Sequence, residues 1–404
     1  MPTILKDKNL LLGVTGSIAA YKAADLASKL AQEGANVDVI LTRSALQFIT
    51  PLTFQTVTGR RAYTDEDLWG REGHVRHIGL GKAADLLAIA PVSANTMAKL
   101  ANGIADNLLT VTALAARCPL LLAPAMDGGM FAHPATQANL ETLRQRGAIV
   151  IGPAEGHLAS GLAGVGRMVE PQELLGQIRL ALSKNGPLQG RKVVVTAGGT
   201  EEPVDPVRAI TNRSSGKQGF AIAQAALERG AEVTLISGPT HLPTPEGAQR
   251  MDVRTSEEML EAVLATVSQA DILIMAAAVS DFRPVKPALE KIKRDKGIPQ
   301  IELERTPDIL AAVEALRSSS PLPRLTVGFA AESQDMMQNA RAKLHAKKLD
   351  LIVANDITAG DAGFAVDTNR VTLLDASGGE EVLPLMSKSE VAERLLERIM
   401  GMLA

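Results

Sequence analysis

The 404-residue sequence contains a single cysteine, Cys118, together with only one Trp and two Tyr. One cysteine cannot form a disulfide within the chain, which favours a reducing compartment. Aromatic residues make up only 2% of the chain, which argues against a stacking platform for single-stranded nucleic acid. No apolar run approaches the roughly 18 residues of a membrane span, and no signal peptide is visible at the amino terminus. These absences predict a soluble, cytoplasmic protein without a membrane segment.

The sequence also lacks an excess of charge of one sign. Its 42 Lys and Arg face 45 Asp and Glu, for a formal net charge of -3. This balance excludes a general nucleic-acid binder or a protein of anionic membrane surfaces, both of which need a basic excess. Hydrophobic residues at 46% are sufficient for ordinary cores, and the length favours two domains.

Two segments of the chain begin in the same way, with an apolar strand, a glycine-rich turn, a helix and a second strand. The first is predicted over residues 10–12, 18–32 and 37–41, and the second over residues 193–195, 220–228 and 233–236. Continuous apolar strands separated by helices are typical of βαβ units in a parallel sheet that is covered on both faces.

Further buried strands are predicted at 86–89, 120–123, 149–151, 272–275, 327–329 and 351–353. Residues 370–374 and 381–383 flank a Ser-Gly-Gly turn and predict a hairpin at a sheet edge, followed by a helix from about 389. We place a polar, turn-rich linker at 183–190, between domains at 1–182 and 191–404. The fold class is therefore α/β, with two tandem doubly wound, Rossmann-like domains whose ligands lie beyond the carboxyl ends of the strands.

Several common signatures fail on spacing. The stretch around residues 211–218 is similar to a P-loop, but Thr211 stands in place of the first glycine and Gln218 in place of the Ser or Thr. The six His residues have no zinc-type spacing with the cysteine or with one another.

Small and polar residues follow the strands of the first half at several points. They are Gly16 and Ser17 after the first strand, Thr42 after the second, and the group Ser93, Asn95 and Thr96 after the strand at 86–89. Hydroxyls and free N–H groups at helix starts suit the phosphate of a mononucleotide cofactor. The alternative is ordinary helix capping by each Ser and Thr. Their shared position beyond one sheet favours the cofactor site.

Residues 13–22, 77–81, 91–96 and 124–126 resemble the flavin-dependent cysteine decarboxylases. Residues 205–208, 212–217, 276–281 and 291–293 resemble phosphopantothenate–cysteine ligases. In order and length the whole chain resembles the bacterial bifunctional family, phosphopantothenoylcysteine decarboxylase/phosphopantothenate–cysteine ligase, of coenzyme A biosynthesis. The resemblance implies an N-terminal flavoprotein fold that binds FMN and a C-terminal ligase fold.

For the decarboxylase half, the resemblance implies that His77 is the catalytic base and that the polar groups named above bind FMN. His74 matches no catalytic position, and we interpret it as structural or as a surface residue. For the ligase half, the implied reaction joins 4'-phosphopantothenate to cysteine with CTP and Mg²⁺, through an acyl-cytidylate. Asn212 matches a residue implicated in turnover of the cytidylate, and Lys291 is implied to be catalytic and to contact the nucleotide, near Lys293, Arg294 and Lys296. The implied substrate contacts are Met275, Ala276, Ala277, Asp281, Lys291, Pro307, Asp308, Ile309, Leu310, Phe329, Lys343 and Lys347.

The sequence departs from the family at two positions. Asp127 stands where the family has an Asn that contacts the substrate carboxylate, so either Asp127 is protonated or it binds another group. Ser160 stands where many members have a Cys that acts as acid in the last reduction, and a hydroxyl is a far weaker acid than a thiol. The final proton then comes from water, from His157 or through an FMN-linked path. The glycine-rich segment 152–166 is expected to fold over the substrate as a lid.

Two other functions remain open at this point. One is a flavin-binding regulatory subunit without decarboxylase activity, and the other is oxidative decarboxylation of a peptide with a C-terminal cysteine. The resemblance also implies a homo-oligomer, a dodecamer built from flavin-domain trimers and ligase-domain dimers.

Overall fold

The computed structural model describes residues 4–69, 76–158, 161, 163–293, 299–332, 335–356 and 366–403. It divides into two compact units, Met1–Ser183 and Lys184–Ala404. Of the residues singled out in the sequence, His74, Ser160, Arg294 and Lys296 lie outside the described residues. Within the described ranges, no helix combines the length and the apolar character that crossing a bilayer requires.

The first unit contains a six-stranded sheet and a separate hairpin. Its strands are β1 (Asn9–Val14), β2 (Asn36–Leu41), β3 (Ala62–Tyr63), β4 (Leu86–Val92), β5 (Leu120–Pro124), β6 (Ile149–Val150), β7 (Ala154–His157) and β8 (Ala163–Arg167). Its helices are α1 (Ala20–Gln32), α2 (Pro51–Thr58), α3 (Arg76–Ala83), α4 (Ala94–Asn102), α5 (Leu108–Ala115), α6 (Gly128–Ala132), α7 (Pro134–Gln145) and α8 (Pro171–Ser183).

All strand pairs of this sheet are parallel, in the order β3-β2-β1-β4-β5-β6. Successive residues of β1 face opposite sides: Leu10 and Leu12 pack in the core beside α1 and α8, whereas Leu11 packs in the core on the other face. The strand is apolar throughout because both of its faces are buried. The strand order reverses between β1 and β4, which makes the loops after these two strands the switch point where ligands bind in such sheets.

The second unit contains an eight-stranded sheet with small two-stranded ribbons beside it. Its strands are β9 (Lys192–Ala197), β10 (Glu201–Pro203), β11 (Ala209–Thr211), β12 (Glu232–Ser237), β13 (Gln249–Asp252), β14 (Ile272–Met275), β15 (Phe282–Pro284), β16 (Leu303–Arg305), β17 (Leu325–Glu332), β18 (Leu351–Asp356), β19 (Thr368–Asn369), β20 (Val371–Asp375), β21 (Glu380–Val382) and β22 (Met386–Ser387). Its helices are α9 (Lys217–Leu227), α10 (Ser256–Val267), α11 (Ile309–Arg317), α12 (Met336–Ala346) and α13 (Lys388–Leu403).

The sheet order is β13-β12-β9-β14-β17-β18-β20-β21, with parallel pairs as far as β18 and antiparallel pairs beyond it. The predicted edge hairpin is therefore present as β20 and β21. The order reverses between β9 and β14, so the second unit has its own switch point. The predicted fold class, two doubly wound α/β domains in tandem, is confirmed.

Candidate functional site

A buried threonine joins the two loops at the switch point of the first unit. Thr15 is only 1% exposed. Its Oγ1 donates to the carbonyl oxygen of Pro91 at 2.8 Å and accepts the N–H of Ser93 at 2.9 Å. Because these bonds connect the ends of β1 and β4, they fix the spacing between two of the predicted cofactor-binding segments. No role of its own was predicted for Thr15, which directly precedes Gly16.

Gly16 lies where the backbone after β1 passes the segment that follows β2. A Cβ atom at position 16 would be 2.5 Å from the Cβ of Ser44, so the close approach requires glycine. Ser17 accepts the N–H of Ala19 at 3.2 Å, and the buried Thr42 accepts the N–H of Ala45 at 3.4 Å. These are local bonds to the backbone, and neither hydroxyl is the side-chain cap of the following helix. Both residues lie at the carboxyl edge of the sheet.

The group after β4 also combines capping with exposure. Ser93 is the N-cap of α4, and its Oγ accepts the N–H of Thr96 at 3.3 Å. Thr96 is buried, whereas Asn95 is exposed at the start of the same helix. Ser93, Asn95 and Thr96 thus stand beside Gly16 and Ser17 across the switch point.

His77 is the second residue of α3, which leads into β4. A helix that precedes a parallel strand runs antiparallel to it, so the first turn of α3 is at the carboxyl edge of the sheet. The Nδ1 atom of His77 is buried and has no hydrogen-bond partner in the part of the chain that the structure describes. Gly81 lets α3 pack closely on α5, because a Cβ there would lie 3.0 Å from the carbonyl oxygen of Thr112.

Asp127 is the N-cap of the short helix α6, directly after β5. It is half-buried, and its Oδ1 accepts the N–H of Gly129 at 2.9 Å. The side chain therefore acts as a hydrogen-bond acceptor toward the backbone, which the ionised carboxylate does well.

The predicted lid segment forms the antiparallel hairpin of β7 and β8. The second strand of the hairpin lies against the loop that carries Asp127. Met126 donates its N–H to the carbonyl oxygen of Gly166 at 3.0 Å, and a Cβ at Gly128 would lie 3.0 Å from the carbonyl oxygen of Val165. His157 is exposed at the end of β7.

Threonine hydroxyls join the loops of the second switch point as Thr15 does in the first. Thr196 Oγ1 accepts the N–H of Ala277 at 3.1 Å, and Thr200 Oγ1 accepts the N–H of Ser280 at 3.0 Å. Both threonines are fully buried. They hold the predicted substrate-binding segment after β14, which includes Ala276 and Ala277, beside the glycine-rich turn after β9.

Asn212 also contacts the segment that follows β14. Its Nδ2 donates to the carbonyl oxygens of Ala278 at 3.3 Å and Val279 at 3.0 Å, while the residue itself remains exposed. Gly199 allows this approach, because a Cβ there would be 2.9 Å from the carbonyl oxygen of Asn212.

A series of contacts continues from this segment to two lysines. Thr306 donates its N–H to the carbonyl oxygen of Asp281 at 3.1 Å, which brings the predicted segment 306–310 beside residue 281. Asp308 caps α11, accepting the N–H of Ala311 at 3.0 Å, and its Oδ2 also accepts a hydrogen bond from Lys347. Burial alone would raise the pKa of Asp308. The hydrogen bonds from Lys347 and from the N–H of Ala311 have a larger, opposite effect, so the pKa is below its ordinary value.

Lys343 donates to the carbonyl oxygen of Phe329 at 2.8 Å, which places the second predicted lysine against β17. Pro307 is half-buried, between Thr306 and the α11 cap. The side chains of Met275 and Ile309 are buried in the apolar core, and Leu310 packs against that core and the core beside α12. A direct contact of Met275 or Ile309 with a ligand would therefore have to involve its backbone.

Lys291 is exposed, and the next residue, Ile292, is hydrogen-bonded to the buried carboxylate of Asp205. Asp205 is 4% exposed and accepts N–H groups from Val207 and Arg208 at 2.8 Å and from Ile292 at 3.1 Å. Burial would raise the pKa of Asp205, but these bonds lower it below its ordinary value. Asp205 was part of a recognised motif without an assigned role, and the tertiary structure gives it one as the attachment of the Lys291 segment.

Comparison with known proteins assigns each of the two units to a family. Residues 2–183 match the family described as Flavoprotein, and residues 188–403 match the DNA/pantothenate metabolism flavoprotein C-terminal domain. The chain is 46% identical to the coenzyme A biosynthesis bifunctional protein CoaBC of Bacillus subtilis, over 98% of this chain and 97% of that protein. It is also 46% identical to the protein of that name from Vibrio cholerae, over 98% of each chain. For the Mycobacterium tuberculosis protein the identity is 45%, over 98% and 97%.

Matches of this extent define the class first: the chain is a flavoprotein with a pantothenate-metabolism domain at its carboxyl end. It belongs to the family of coenzyme A biosynthesis bifunctional proteins. The resemblance stated from the sequence is confirmed, and so is the prediction of an enzyme with decarboxylase and ligase functions.

Proposed function

We propose that the chain catalyses two consecutive reactions. The second unit joins 4'-phosphopantothenate to cysteine and consumes CTP. The first unit then uses FMN to decarboxylate the product to 4'-phosphopantetheine. The observation that carries this proposal is the series of hydrogen bonds from Asn212 through residues 278–281 and 306–308 to Lys347. It joins residues from four separate stretches of sequence.

The ligation needs an activated carboxyl group, because an amine does not attack a carboxylate at neutral pH. Attack of the carboxylate on the α-phosphate of CTP forms the acyl-cytidylate and releases pyrophosphate. The cysteine amine then displaces CMP. Lys291, Lys343 and Lys347 would neutralise charge on the nucleotide and on the leaving pyrophosphate. In this scheme Asn212, Ala276 and Asp281 position the cytidylate.

Mg²⁺ would accompany the triphosphate as part of the substrate complex. Support comes from the donor set: among the described residues, no group of three or more His, Cys, Asp or Glu side chains is arranged to hold a metal ion. A dedicated protein site for Mg²⁺ is therefore not part of the proposal.

The decarboxylation needs an electron acceptor, since direct loss of CO₂ would leave an unstabilised carbanion. Bound FMN would supply a reversible two-electron acceptor for this chemistry, so no external oxidant would be needed. His77 would hold or move a proton at its ring nitrogen, and the buried, unpartnered Nδ1 in this part of the chain supports that role.

The residues of the first switch point fit FMN. Gly16 and Ser17 begin the loop before α1, and Ser93, Asn95 and Thr96 form the start of α4, so a phosphate would lie at two helix starts. Thr42, at the end of β2, completes the set. The cradle depends on glycine at position 16, where any side chain would meet Ser44.

The two departures from the family are assigned as follows. Asp127 holds the turn before α6 through the N–H of Gly129, so its carboxylate binds protein rather than the substrate carboxylate. Ser160 occupies the position at which many family members have the Cys that acts as acid in the last reduction. Water or His157, exposed on β7, supplies the final proton.

We also propose a homo-oligomer, with trimers of the flavin unit and dimers of the ligase unit combining into a dodecamer. Support comes from exposed apolar side chains at the start of α1, where Ile18 is 60% and Tyr21 62% exposed. Sedimentation of the purified protein tests this directly, and a monomer would contradict it.

The test of function supplies phosphopantothenate, cysteine, CTP and Mg²⁺ to the purified protein, and measures CMP, pyrophosphate, CO₂ and 4'-phosphopantetheine. We expect a yellow protein and all four products. Release of CMP without CO₂ would support only the ligase activity, and it would favour the alternative of a flavin-binding regulatory subunit without decarboxylase activity. A colourless protein that stays inert after addition of FMN would refute the decarboxylase assignment.

A further inference from the structure

Lys22 is the third residue of α1, and it carries its charge into the interior of the first unit. The residue is only 4% exposed. Its Nζ donates to the carbonyl oxygen of Met168 at 2.8 Å and to Oε1 of Glu170 at 2.9 Å. An ammonium group buried without such partners would strongly destabilise the fold. The two bonds therefore determine where the chain between β8 and α8 can lie.

The bonds of Lys22 end at the base of the β7–β8 hairpin. Met168 follows directly after β8, and Arg167, the last residue of β8, donates to the same Glu170 oxygen at 2.8 Å. Hydrogen bonding from Lys22, followed by the charges of Lys22 and Arg167, outweighs burial and holds the pKa of Glu170 below its ordinary value. Glu170 is therefore ionised at neutral pH and pairs with both cations.

The hairpin is also attached through the bond between Met126 and Gly166, on the loop that carries Asp127. Lys22 provides an attachment to α1, the helix that begins at Ala20, three residues after Ser17. One side chain thus connects the proposed cofactor edge with the segment that would cover the substrate.

Holding α8 against α1 does not by itself require a charged group. Leu174, Leu175 and Ile178 of α8 are buried in the same apolar core as Leu26 and Leu30 of α1. A buried ion pair is weak as a source of stability compared with apolar packing of the same volume, but it selects one geometry. A hairpin that covers an active site must be held in one position relative to the substrate, because small displacements lower the rate.

We propose that Lys22 is a positioning residue for the decarboxylation, fixing the base of the β7–β8 hairpin relative to the start of α1. The proposal rests on the proposed function of the first unit. In this proposal Lys22 holds the hairpin in one position and takes no part in the chemical steps.

The principal variant is Lys22→Met, which keeps the length and apolar volume of the side chain and removes the ammonium group. In the FMN-loaded full chain, we expect hydrogen exchange of the amides in 154–158 and 163–167 to accelerate at least tenfold. We expect kcat/KM for decarboxylation of phosphopantothenoylcysteine to fall at least tenfold, with unchanged CMP release by the ligase. Lys29→Met is the matched control, since Lys29 is on the same helix and pairs at the surface with Asp25. It should match wild type in both measurements.

Two further variants separate positioning from stability. Glu170→Gln removes the exposed partner and leaves the Met168 contact, so it should give a smaller change of the same kind. Lys22→Arg keeps the charge and should recover part of the loss in kcat/KM. If Lys22→Met does not fold, these two variants decide the question.

Lowered thermal stability of Lys22→Met with unchanged hairpin exchange and unchanged kcat/KM would reduce Lys22 to a structural role and overturn the proposal. The exchange measurement is independent of turnover. If wild type releases no CO₂, the proposed function fails, while faster hairpin exchange in Lys22→Met would still support the contact between α1 and the hairpin.

Discussion

Replacement of Gly166 by Ala should separate the two activities of this chain. A Cβ at position 166 would lie 2.2 Å from the carbonyl oxygen of Met126 and 3.2 Å from the nitrogen of Gly128. Both contacts are with backbone, so neither can be relieved by a side-chain rotation. The hairpin and the loop of Asp127 must separate by about 0.8 Å or more to reach even the closest tolerated contact.

The expected magnitude follows from this displacement. Overpacking of this kind costs about 1–3 kcal/mol, and loss of the bond from Met126 to Gly166 adds about 1 kcal/mol. A shift of about 1 Å in a positioned segment lowers an enzymatic rate by roughly 100-fold. We therefore expect kcat/KM for decarboxylation to fall about 100-fold in Gly166→Ala, with CMP release unchanged.

The assay follows CO₂ release from phosphopantothenoylcysteine and CMP release from CTP in the same preparation. Gly164→Ala is the matched control, because it is on the same strand and a Cβ there would meet nothing within 4 Å. It should behave as wild type. Equal decarboxylation by the two variants would refute the reasoning that the contact between the hairpin and residues 126–128 positions the substrate.

Three further predictions test other parts of the structure. His77→Asn should abolish CO₂ release and leave CMP formation intact; equal loss of both would contradict separate sites. Lys291→Gln should block amide formation only, and unchanged CMP output would remove Lys291 from the site. Hydrogen bonds from Ser377 first, and from Gly379 and Arg398, outweigh burial and lower the pKa of Asp375 to about 2. Because this pKa is lower in the folded state, its stabilisation, about 1 kcal/mol after screening, is complete above about pH 4 and is lost toward pH 2. Urea unfolding should show wild type more stable than Asp375→Asn at pH 6, with a smaller difference at pH 3; a constant difference would contradict this assignment.

The central strands and several of the helices were predictable because their signals are local. Each central strand is a continuous apolar run with glycine turns at its ends, as in β1 and β14, and a strand buried on both faces needs no other pattern. The beginning of α11 at Ile309 was also predictable, since Asp308 is a suitable N-cap.

The contacts within the sites were less predictable, because they join residues far apart in sequence. Lys22 and Met168 are 146 positions apart, and nothing in the local pattern of α1 distinguishes Lys22 from the exposed Lys29. Asn212, by contrast, was singled out from its motif, but its bonds to the carbonyl oxygens of Ala278 and Val279 depend on how β14 packs beside β9.

The family, the two-domain α/β organisation and the chemical types available at each site can be read from the amino-acid sequence, because they depend on composition, periodicity and motif order. Which side chains meet depends on the folded chain. It buried Thr15, Thr196 and Asp205 as connectors, directed Met275 and Ile309 into the core, and attached the hairpin to α1 through Lys22. The physical reason is that a buried polar group must find a partner wherever the fold provides one, and sequence distance sets no limit on that choice.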